Sequence, residues 1–78
     1  MINTMRTAQQ TLDDTYLEMR WRILSLAADF DRVQRATGGG DTLAHDARVA
    51  TLRQAMHLAL SDDNNRAEQV QLFLSDKT

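Results

Sequence analysis

The stretch DDTYLEMRWRILSLAADFDRVQRATGGG, residues 13–40, decides the fold. From Asp13 to Thr37 the chain carries neither glycine nor proline, and it then meets its three glycines together, Gly38, Gly39 and Gly40. Asp13 and Asp14 sit where carboxylates complement the positive end of a helix dipole, and Arg32 and Arg35 where cations complement the negative end. The pattern predicts a long first helix over 13–37, closed by a glycine hinge.

At 100° per residue, Tyr16, Met19, Ile23, Leu26, Ala27, Phe30 and Val33 share one broad sector of that helix. Leu17, Trp21, Leu24 and Ala28 form a second apolar group, centred about 150° away. One neighbouring helix cannot cover both. The first helix therefore needs neighbours on two sides, either the rest of its own chain or another copy. The second group, Leu17, Trp21, Leu24 and Ala28, is the expected interface of a homodimer.

Beyond the glycines, Asp41 or Thr42 can cap a second helix over 41–60. Val49, Leu52, Met56, Ala59 and Leu60 form its bulky sector, and Asp46, Arg53 and His57 its wet strip. The polar run Ser61-Asp62-Asp63-Asn64-Asn65 ends it and offers caps for a third helix over 62–74, with Asn65-x-x-Glu68 resembling a capping box. Residues 1–12 are rich in Thr and Gln, which are weakly helical without packing, and read as a flexible arm. No period-2 alternation proposes a strand. The expected fold is all-α, a single domain over 1–78: a long helical hairpin plus a short C-terminal helix, forming a three-helix bundle that dimerises.

Two charged residues, Arg20 and Asp31, project between the apolar groups of the first helix. A hairpin turning near Gly39 sets position i opposite about 78 minus i, which brings Asp31 beside Arg48. That pair is the expected register-fixing ion pair, since a desolvated pair specifies geometry more than it adds net stability.

Composition bounds the rest. At 78 residues the chain buries only about 60% of its unfolded surface if it folds alone, so association or unusually good packing is expected. With no cysteine, neither disulfide nor thiolate metal site is available. Nine Lys and Arg against eleven Asp and Glu are spread along the chain without a basic cluster, which argues against nucleic acid as a partner. No apolar run approaches the roughly 20 residues of a membrane span, and no secretory leader pattern begins the chain, so a cytoplasmic location is the expectation.

Chemistry leaves few traces. His45 and His57 are twelve residues apart on what reads as one helix, and Asp41 with His45 supplies only two ligands at i, i+4 spacing, so no metal or other cofactor is expected. Nucleotide-binding and hydrolase motifs are absent, and none of Ser25, Ser61 and Ser75 has a histidine near in sequence to serve as its base. The sequence thus predicts no catalytic residue and no enzyme. It predicts a small protein–protein interaction or assembly module, homodimeric through the first helix. The alternative is a DNA-associated helical regulator, reading through Asn64, Asn65, Arg66, Gln69 and Gln71.

Overall fold

The computed structural model describes residues 5–77, and residues 1–4 of the expected arm lie outside that range. Its described residues form four α-helices: α1 (Ala8–Arg35), α2 (Gly39–His45), α3 (Ala47–Ala59) and α4 (Arg66–Lys77). The all-helical expectation holds, while the element boundaries shift, each for a local reason.

α1 starts five residues earlier than expected, so residues 8–12 belong to the helix and not to an arm. Thr7 is the cap: its hydroxyl accepts from the Gln10 backbone N–H at 3.1 Å, and the Gln10 side-chain carbonyl accepts from the Thr7 N–H at 2.9 Å. This reciprocal capping box satisfies two of the orphan donors at the helix start. Arg6 adds an ion pair with Asp14 about two turns along. At the other end α1 stops at Arg35, where Ala36 turns extended and donates to the carbonyls of Arg32 and Val33. Gly38 then takes the left-handed conformation at φ 76°, which only glycine enters without strain. Gly39 follows, buried against the last turn of α1.

The expected second helix is two helices. Asp46 breaks it, standing extended at ψ 126° and capping α3 by accepting from the Arg48 N–H at 2.8 Å. A short carboxylate that bonds its local backbone offers the chain an alternative to continuing the helix, and here that alternative wins. Arg48 reinforces it, placing Nε 3.1 Å and Nη2 3.0 Å from the Asp46 carboxylate. α4 begins at Arg66, later than the expected 62, because residues 61–65 are spent on the connection and Arg66 Nε donates to the Ser61 carbonyl.

The helices pack in sequence, α1 on α2, α2 on α3 and α3 on α4, and among the described residues no backbone approach within 8 Å joins α1 to α3 or α4. The result is an open, elongated chain, 61 × 27 × 18 Å, with a radius of gyration of 16.6 Å against about 11.5 Å for a compact chain of this length. Val49 and Ala55 are its only buried hydrophobic side chains among the described residues, and both lie on α3. α1, about 42 Å long at 1.5 Å per residue, reaches far past the α2–α3 segment it leans on.

Among the described residues, Asp46 carries the one large protonation effect. Its carboxyl falls from 3.8 to about 2, first through the Arg48 side-chain donors and then through the Arg48 backbone N–H. A depressed folded-state pKa contributes stability that is complete above the unfolded value and lost as pH falls through the folded one. The wild-type melting temperature should therefore decline between about pH 4 and pH 2. Asp46→Ala should melt several degrees lower at neutral pH and lose this acid-dependent component. An equally steep acid decline in the variant would show that another group is responsible.

Candidate functional site

The exposed apolar surface is concentrated on α1. Of the twelve exposed large hydrophobic residues among those described, eight lie on this helix. They form two sides, as the 3.6-residue period requires. On one, Trp21 is 69% exposed, Leu17 66% and Leu24 56%, with Ala28 half-buried beside them. Trp21, Leu24 and Ala28 share a shallow hollow of about 340 Å³, rimmed by Ser25, Asp29 and Arg32. The structure thus brings three of the four predicted interface residues to one depression, with Leu17 a helical turn before it.

The opposite side divides along its length. Leu26, Phe30 and Val33 face Leu43, Val49 and Leu52 across a groove of about 490 Å³, so the C-terminal part of this side is partly covered by its own chain. The N-terminal part is covered less: Leu12, Tyr16, Met19 and Ile23 all stand exposed, and of these Ile23 borders a hollow of about 280 Å³ shared with Arg53 and Met56 of α3. A further apolar hollow of about 690 Å³ lies between the end of α3 and α4, lined by Ala59, Ala67, Val70 and Leu74.

The expected pairing of Asp31 with Arg48 is corrected by the structure. Asp31 meets Arg35, one turn along the same helix, at 3.9 Å, and Arg48 meets Asp46 at 3.0 Å. The register rule assumed a continuous second helix, and the break at Asp46 removes that assumption while giving Arg48 a nearer carboxylate. The remaining pairs are similarly local: Glu18 with Arg22 at 2.6 Å, Asp29 with Arg32, and Asp41 with His45 at 3.1 Å. Exposed pairs of this kind each contribute about 0–1 kcal/mol and fix no tertiary register. Arg20, in contrast, has no ion-pair partner among the described residues.

These residues offer binding chemistry of one kind. No group of three His, Cys, Asp or Glu side chains converges among the described residues, and no helix is long and apolar enough to cross a membrane. An exposed aromatic and aliphatic surface on a rigid helix associates by removing that surface from water. No protein-family model matches the chain, and no curated protein or solved structure is detectably similar to it.

Proposed function

We propose that the chain is a small non-enzymatic interaction or assembly module that associates with copies of itself through α1, a dimer being its smallest closed form. The observation that carries this reading is the exposed surface. The chain leaves 6991 Å² accessible, whereas a compact monomer of 8.9 kDa exposes about 4,800 Å². The excess, about 2,200 Å² per chain, is of the size that obligate homodimers bury on each subunit. Because most exposed large hydrophobic residues sit on α1, this helix is where the excess is to be removed.

Trp21 anchors the side formed with Leu17, Leu24 and Ala28, since large aromatic residues dominate the energetics of protein interfaces. Two apolar sides on one rod allow a copy on each, so assembly can proceed from a dimer to a dimer of dimers. Multi-angle light scattering should give a wild-type mass of at least twice 8.9 kDa, and a lower average mass for Trp21→Glu at the same concentration. A wild-type monomer at tens of micromolar would contradict the proposal.

The DNA-associated alternative finds no favouring observation. Arg66, its leading cation, is bonded to the Ser61 carbonyl, and Asp62 and Asp63 precede it on the approach to phosphate.

A further inference from the structure

The uncovered N-terminal half of α1 carries a finer pattern than its sector shows. Leu12, Tyr16, Met19, Ile23, Leu26, Phe30 and Val33 follow one another at spacings of four, three, four, three, four and three. This is the a/d repeat with which α-helices pack on one another knobs-into-holes. The chain's own α2–α3 segment faces the last three of these residues, and Ile23 borders a hollow shared with Arg53 and Met56 of α3 while staying 69% exposed, so Leu12, Tyr16, Met19 and Ile23 form an exposed seam of four knobs.

From this we infer that residues 12–23 of α1 pair antiparallel with residues 12–23 of a second copy, about a two-fold axis passing between Leu17 and Glu18. The inference rests on the self-association proposed above and adds to it a second contact, on the side of α1 away from Trp21, with a defined register.

Three observations select this arrangement. In the register that overlaps the free seam fully, a and d residues sum to 35, so Leu12 packs on Ile23 of the second copy and Tyr16 on its Met19, and the reverse. All four layers are apolar. The same register sets the flanking Asp13 beside the second copy's Arg20, twice by symmetry, and among the described residues Arg20 is a cation of α1 that the single chain leaves without an ion-pair partner. The Asp13 carboxylate, for its part, meets only the neutral Gln9 amide, at 3.0 Å, among the described residues. A parallel in-register pair instead sets Arg20 beside Thr15 and Asp13 beside Ala8, and matches no charges. Sliding the antiparallel pair by one heptad toward the C-terminus would bring Leu26 and Phe30 into the seam, where the α2–α3 segment already stands.

The chain has no cysteine, so introduced thiols report this geometry without background. Leu12→Cys and Ile23→Cys replace side chains that are 46% and 69% exposed in the single chain, and neither removes a buried contact. Each variant alone, treated with a short bismaleimide, should remain uncrosslinked, and an equal mixture should yield a covalent dimer containing one of each. Crosslinking of either variant with itself would establish parallel pairing and overturn the inference. No crosslink in a sample whose mass is dimeric would overturn the register while leaving self-association standing, and no crosslink in a monomeric sample would overturn both. As a second readout, Arg20→Asp should weaken the dimer several-fold and Asp13→Arg/Arg20→Asp should restore it. Failure of the double variant to recover would exclude the Asp13–Arg20 contact.

Discussion

Gly39→Ala is expected to destabilise the chain by about 3 kcal/mol, at the upper end of what overpacking costs. A Cβ at this position would stand 2.6 Å from the Gln34 carbonyl carbon and closer still to the carbonyl oxygens of Val33 and Gln34. Those atoms are the backbone of the last turn of α1. They cannot rotate aside as a side chain would, so relief requires α2 to move off α1, and among the described residues α2 is the only helix that approaches the α1 backbone. For a domain of this length the change corresponds to a fall of about 10–20 °C in melting temperature.

The adjacent glycines are internal controls. Gly38→Ala meets open space but must hold φ 76°, at a cost of about 1 kcal/mol. Gly40→Ala meets only the flexible Gln34 amide nitrogen at 3.5 Å, and in a helix it should be neutral or stabilising. Thermal melts of the three variants should therefore rank Gly39 far below Gly38, with Gly40 at or above wild type. Equal behaviour at positions 39 and 40 would contradict the close approach of the two helices.

Met19→Lys is expected to raise the dissociation constant of the proposed antiparallel α1 contact about 1,000-fold. Lysine matches methionine in length and helix propensity, and Met19 is 44% exposed in the single chain, so the fold should tolerate the change. In the antiparallel seam, however, Met19 occupies both central layers against Tyr16 of the other copy. The substitution removes two buried apolar side chains at about 2 kcal/mol each, and about 4 kcal/mol corresponds to that factor. It also sets a cation near Arg20 and Arg22. Sedimentation equilibrium over a concentration series should show a lower average mass for the variant than for the wild type at each concentration. A variant that self-associates as tightly as wild type would place the contact elsewhere on the chain.

How far the residues alone reveal this architecture differs from element to element. The body of α1 is legible because nothing interrupts it and its apolar residues recur at a helical period over more than five turns. Its true start is also written, in Thr7-x-x-Gln10, but summed propensity over the Thr- and Gln-rich run hides two specific hydrogen bonds. The break at Asp46 is harder to read. No glycine or proline marks it, and an aspartate on a helix surface looks solvated until Arg48 is seen to supply both a backbone and a side-chain donor to its carboxylate. From that single residue follow the split into α2 and α3 and the absence of an Asp31–Arg48 pair, because register across a helical hairpin holds only while each arm is one continuous helix.

The exposed apolar surface is legible in part. Leu17, Trp21 and Leu24 stand exposed on one side of α1, as the period places them. Which portion of the opposite side remains free depends on how far α2 and α3 reach along α1. That reach is set by the turn at Gly38–Gly39 and the kink at Asp46, and it becomes apparent only in three dimensions.

Self-association through α1 is tested most directly by the solution mass of the wild-type chain, followed by light scattering from about 1 to 100 μM. A mass rising from near 8.9 kDa to twice that value or more as concentration increases, or holding at the higher value throughout, is the predicted result. A mass of 8.9 kDa at every concentration would mean that the chain leaves its Trp21 and Met19 sides in water, and would contradict the account.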